Sequence, residues 1–125
     1  MSGITLDTGG LIALDRRDRK VLALIERAQE HGMRITIPAT ALAQAMRNPA
    51  KQALISRLIR QPSTDLIPLN GPDATAIGLL LAKTETADIV DAHVAICAQR
   101  SGQPVITSHP ADLRQIAPNL SLIVV

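Results

Sequence analysis

The stretch Gly3-Ile4-Thr5-Leu6-Asp7-Thr8-Gly9-Gly10 decides how the rest of the chain is read. A short apolar run is closed by an acid, then by a threonine and two glycines. This is the form of a buried strand that turns directly into a helix, here one running through Leu14. Asp7 then stands at the strand's carboxyl end. A carboxylate in that position must be solvated, paired or bound to a cation, because burying it bare is strongly unfavourable.

Outward from this stretch the pattern repeats. From Asp18, the residues Val21, Leu22, Leu24, Ile25 and Ala28 recur with helical period, and His31-Gly32 supplies a stop. Residues 34–37 form a second strand. Pro38 opens a helix that carries Leu42, Gln44, Ala45 and Met46 and is interrupted at Asn48-Pro49. Residues 50–60 are amphipathic through Leu54, Ile55, Leu58 and Ile59, and residues 65–69 give a third strand. A helix follows from Pro72 through Leu81, and another spans 88–100 and ends at Gly102. Residues 105–107 form a fourth strand, His109-Pro110 turns into a last helical piece, and residues 120–125 make the final strand. Strands alternating with helices, without repeats or low-complexity linkers, predict a three-layer α/β/α fold with a mainly parallel sheet, one domain over residues 1–125. Folds of this kind bind ligands beyond the carboxyl ends of their strands.

Composition narrows the function. The chain has 125 residues and a formal net charge of +2, a weak field for attracting polyanions, so any nucleic-acid contact must be local. It contains no Phe, Tyr or Trp, which excludes base recognition by aromatic stacking. Its one cysteine, Cys97, makes no internal disulfide and argues against redox chemistry. No apolar run approaches the roughly 20 residues of a membrane span, and the N-terminus lacks the pattern of a secretory signal. The expectation is a cytoplasmic protein without a membrane partner.

Five polar residues recur at the expected element ends: Asp7, Asp88, Asp91, His109 and Asp112. Asp88 and Asp91, three apart at a helix start, share a face and look toward one site. Each also has an ordinary explanation. Asp88 makes a good N-cap with Asp91 at the third helical position, and Pro110 with Asp112 makes an equally regular helix start.

The pattern as a whole resembles the PIN-domain family, particularly the VapC-type toxins of toxin–antitoxin pairs. The likeness is carried by Leu6-Asp7-Thr8, Leu42-Ala43-Gln44, Asp91-Ala92-His93-Val94-Ala95 and Thr107-Ser108-His109-Pro110-Ala111-Asp112-Leu113, and it extends over essentially the full chain. The resemblance implies a metal-dependent endoribonuclease in which carboxylates hold one or two Mg2+ or Mn2+ ions and activate water. Asp7 matches the first acid and Asp91 the third, with Asp88 and Asp112 as further metal carboxylates. Gln44 and His109 stand where the family usually has acids, so the resemblance gives a catalytic set of Asp7, Asp91, Gln44 and His109. Two fewer carboxylates imply weaker metal binding, and an imidazole at 109 implies Mn2+ preferred over Mg2+. The alternative is a degenerate PIN domain that binds antitoxin or RNA without efficient cleavage. A nuclease acting on DNA shares the same chemistry. The resemblance also implies a homodimer, a cognate VapB-like antitoxin and RNA as partners.

Arg16, Arg17, Arg47 and Lys51 are soft candidates for RNA contact, alongside Arg19, Lys20, Arg57 and Arg60. Charge on amphipathic helices is usually a solvated face. His93 and Cys97, four apart on one helix, are two ligands short of a zinc site and read as core.

Overall fold

The computed structural model describes residues 3–125. Five strands, β1 (Gly3–Leu6), β2 (Arg34–Pro38), β3 (Thr64–Ile67), β4 (Val105–Thr107) and β5 (Leu122–Val124), form one sheet in the order β3-β2-β1-β4-β5, and every pairing is parallel. Seven helices connect them among the described residues: α1 (Thr8–Asp15), α2 (Arg19–Glu30), α3 (Ala39–Ala45), α4 (Ala53–Leu58), α5 (Gly71–Thr84), α6 (Ile89–Ser101) and α7 (Pro110–Ile116).

The topology follows from the connections. Parallel neighbours are joined by right-handed crossovers. The two leading from β1 to β2 and on to β3 therefore place α1, α2 and α4 on one face. Those from β3 to β4 and on to β5 place α5, α6 and α7 on the other. The packing agrees, with α1 against α2 and α4, and α6 against α5, α7, β1 and β2. Helices on both faces bury the central strands entirely, which is why β1 and β4 carry no exposed residue. The main core gathers Leu6, Leu11, Val21, Ile35, Ile37, Ile55, Val94 and Ile106. Inside it, the Thr5 hydroxyl donates to the Gln103 side-chain oxygen at 2.7 Å.

The expected alternation of strands and helices is present, with sharper limits. The helix expected over 50–60 is only Ala53–Leu58, because the backbone N–H groups of Lys51 and Gln52 both turn back to the Asn48 carbonyl and delay the start. The helix from Pro72 runs on past Leu81 to Thr84, where Glu85 ends it in the left-handed region at φ 54°. Arg17, at φ 59°, makes the comparable tight turn between α1 and α2.

The order reverses direction between β1 and β4, since the chain moves outward from β1 through β2 to β3 and then returns to the other side. In an open parallel sheet this switch point leaves a crevice at the strands' carboxyl ends. Asp7 follows β1 there, and Ser108-His109 follow β4. No helix among the described residues is long and apolar enough to cross a membrane.

Candidate functional site

The switch-point crevice is a cleft of about 420 Å³ lined by Asp7, Thr8, Gly9, Ile12, Arg16, Gln44, Asp88, Asp91, Ser108, His109 and Asp112. Both residue sets singled out in the sequence, Asp7, Gln44, Asp91 and His109 and the flanking Asp88 and Asp112, therefore come together. A groove of about 490 Å³ at the other end of the sheet, lined by Ala98, Gln103, Pro104, Leu120 and their neighbours, contains no charged group. The titratable groups gather in the acidic cleft.

Asp7 is placed by two requirements met at once. It ends β1 and is the N-cap of α1, its Oδ1 accepting from the Gly10 N–H at 2.8 Å. Burial raises its carboxyl above the usual range, while the Thr107 hydroxyl, the Gly10 and Gly9 N–H groups and the charge of His109 pull the other way. Gly9 and Gly10 allow the approach. A Cβ at Gly10 would lie 2.6 Å from the Ile106 carbonyl oxygen, and one at Gly9 would lie 2.1 Å from Ser108 Oγ. The two glycines seat the first turn of α1 directly on the end of β4.

On the facing wall, Asp88 caps α6 by accepting from the Asp91 N–H at 2.9 Å. The ordinary capping role and the placement in the pocket hold together. The Asp91 carboxyl is pushed up to about 6, chiefly by desolvation and then by the negative charges of Asp88, Asp7 and Asp112. His109 begins α7 without capping it through its side chain, and its Nδ1 is hydrogen-bonded to Ser108 Oγ at 2.9 Å. Its backbone N–H donates to the Thr107 hydroxyl, which itself holds Asp7. The Thr8 hydroxyl donates to Gln44 Oε1 at 2.6 Å, joining α1 to α3.

Of the basic residues considered in the sequence, Arg16 lines the cleft, whereas Arg17, Arg47 and Lys51 do not. Arg47 Nη1 is spent on the carbonyls of Ala43 and Met46. His93 and Cys97 are core residues: Nδ1 of His93 is bonded to the Thr40 hydroxyl at 2.7 Å, and burial pushes the Cys97 thiol up to about 11. The ion pair of Asp73 with Arg100 at 2.6 Å escaped sequence reading, because a separation of 27 residues leaves no local signal.

The donor chemistry of the cleft suits a hard divalent cation, since its carboxylates leave negative charge uncompensated around Asp91. The geometry is open, and among the described residues no three His, Cys, Asp or Glu groups converge closely enough to enclose an ion. An ion in so open a cleft would be held by one or two carboxylates and would keep most of its water.

No family model matches the chain, and no curated protein sequence matches it. Several solved structures share its fold. Among them is a VapBC2 structure from Rickettsia felis bound to a DNA fragment from the promoter, with a TM-score of 0.71 and 16% identity, covering 97% of each chain. FitAcB from Neisseria gonorrhoeae is similar with a TM-score of 0.63 and 17% identity, covering 96% of each. A FitAB structure bound to an IR36 DNA fragment has a TM-score of 0.64 and 14% identity, covering 97% of this chain and 94% of that one.

These findings correct the assignment drawn from the sequence. The neighbours are named as VapBC2 and FitAB assemblies, two of them on DNA, and not as PIN-domain nucleases, and at such identities they share the fold alone. They do not support membership of the VapC-type PIN toxins, the metal-dependent endoribonuclease activity or RNA as partner, and those assignments are withdrawn. The physical reason lies in the motifs. Leu6-Asp7-Thr8 is a strand-to-helix turn in which Asp7 caps α1, and in the turn after β4 the Thr107 hydroxyl accepts from the His109 N–H, so local structure accounts for these residues.

Proposed function

We propose that this chain is one of the two proteins of a toxin–antitoxin pair, and that its switch-point cleft takes a divalent cation, Mn2+ in preference to Mg2+. The observation that carries the reading is the cleft's unbalanced charge: Asp7, Asp88, Asp91 and Asp112 share one crevice with a single arginine, Arg16, and with His109. The whole-chain likeness to chains of VapBC2 and FitAB supports the partner half of the proposal.

Asp7 and Asp91 are the proposed cation ligands, with Asp88 and Asp112 as neighbouring carboxylates. The imidazole of His109 favours Mn2+ because nitrogen donors bind it more readily than Mg2+. A cation there supplies positive charge that organises the carboxylates and draws a ligand's anionic group to the cleft. The chain's own residues position that charge: the Gly9 and Gly10 N–H groups and the Thr107 hydroxyl orient Asp7, and Asp88 holds the first turn of α6. As proposed, association with promoter DNA belongs to the pair, since the chain alone carries a net charge of only +2.

Two measurements test the proposal. Tagged protein recovered from its native cells should carry one small protein in fixed stoichiometry, and the recovered pair should retard its own promoter DNA in a gel while the isolated chain does not. A chain that comes through alone defeats the partner half. Calorimetric titration should show Mn2+ binding more tightly than Mg2+ and a loss of tenfold or more in Asp7→Asn. Absence of binding at millimolar Mn2+ defeats the cation half.

A further inference from the structure

We infer that Gln44 serves the cleft as a hydrogen-bond donor and not as a cation ligand. The inference deepens the cation-binding reading above and rests on it. It starts from a single contact, the 2.6 Å hydrogen bond in which the Thr8 hydroxyl donates to Gln44 Oε1. A primary amide has an acceptor oxygen at one end and a nitrogen with two N–H donors at the other. With its oxygen held by the first turn of α1, Gln44 keeps its amino end for the cleft it lines.

The reverse orientation would be opposed by the surroundings. Asp7, Asp88, Asp91 and Asp112 line the same cleft and gather negative charge there. Turning the carbonyl oxygen toward that field would place the negative end of the amide dipole against it, while the amino end is attracted by it. The hydroxyl of Thr8 could satisfy either end of the amide, so the carboxylates select which end it takes.

The cleft is thus divided by function. Cation ligation comes from the β1 end and the start of α6, through Asp7 and Asp91. The α3 wall offers N–H groups that hold an acceptor oxygen, either of water bound to the cation or of an anionic ligand group bridged to it. Gln44 is a specificity-determining residue on this account, because it sets a donor where a carboxylate would set an acceptor.

The test uses carbon and nitrogen NMR of the side-chain amide in the full chain. Without metal, Thr8→Val should shift the Gln44 Cδ resonance upfield, through loss of a hydrogen bond to its oxygen, and leave Nε2 nearly unmoved. A shift of Nε2 alone overturns the inference. In the unaltered protein, which covers the case of a Thr8→Val chain that does not fold, saturating Mg2+ should shift the Cγ resonances of Asp7 and Asp91 and move Gln44 Cδ far less. A Gln44 Cδ shift as large as that of Asp91 Cγ overturns it. If Mg2+ moves none of these carbons, the cation reading falls, and the metal-free comparison still decides how Gln44 is turned.

Discussion

The carboxylate of Asp88 accepts a hydrogen bond from the backbone N–H of Asp91 at 2.9 Å and at the same time opposes the ionisation of the Asp91 side chain. One residue stabilises the helix start and destabilises the charge beside it. The two effects separate by substitution. Asp88→Asn keeps a good capping side chain and removes the charge, so it should lower the Asp91 pKa and preserve or raise stability. Asp88→Ala removes the cap as well and should be less stable than Asp88→Asn by about 1 kcal/mol. Urea denaturation of both variants, with carbon NMR titration of Asp91, checks the pair.

The raised carboxyl of Asp91 fixes the sign of a pH effect. Folded, it holds its proton to about pH 6; unfolded, only to about its ordinary value of 3.8. Between those values the folded chain binds more protons, so the stability this group contributes is present below pH 3.8 and is lost as pH rises through 6. Full conversion of the shift would give about 3 kcal/mol. The side chain is half-buried, and solvent screening reduces the expected effect to about 1 kcal/mol. Asp91→Asn should therefore flatten the decline measured by urea denaturation at pH 4, 5, 6 and 7. An unchanged slope in the variant would count against the charge clustering.

Gly10 and Gly78 predict opposite signs for the same substitution. Both lie inside helices, where replacing Gly by Ala normally stabilises by up to about 1 kcal/mol. At Gly78 a Cβ meets nothing within 4 Å, so Gly78→Ala should follow that rule. At Gly10 it would press to 2.6 Å from the backbone oxygen of Ile106, which has no side-chain freedom with which to yield. Overpacking of this kind costs about 1–3 kcal/mol. Gly10→Ala should lower the thermal midpoint and Gly78→Ala should raise it.

His93 is fully buried, with Nδ1 bonded to the Thr40 hydroxyl at 2.7 Å and the Pro68 backbone acting on the ring as a further hydrogen-bond partner. Thr40→Val alone strands a buried imidazole nitrogen and should destabilise by about 1–3 kcal/mol. Combining it with His93→Leu removes both polar partners and should recover most of that loss. A double-mutant cycle in guanidinium chloride measures the coupling.

Particular residues show what the sequence carried and what it did not. The run through Leu6 to Asp7 announced a strand end because hydrophobicity stops abruptly at an acid, and Asp88 announced a helix start because caps act within a few residues. The cleft's composition was legible for the same reason, since most of its side chains sit at element ends and a parallel sheet collects those ends in one place. The pairing of Thr8 with Gln44 was not, nor was that of Arg34 with Asp65 at 2.6 Å, because each links segments that only the strand order brings together. The end of α5 was misplaced because Glu85 takes the left-handed turn usually left to glycine. The family resemblance went too far because short turns that the fold requires were read as marks of an activity.

The hydrogen bond from Thr5 to Gln103 spans 98 residues of chain, and β1 is flanked on one side by β4, a strand made only after β2 and β3. Asp7 therefore leaves the ribosome well ahead of Ser108 and His109, which join it only once β4 has been made. Long-range pairing of this kind is slow to form. During that interval one edge of β1 lies unpaired, and a nascent chain halted before β4 carries the first acid of the cleft without the wall that completes it.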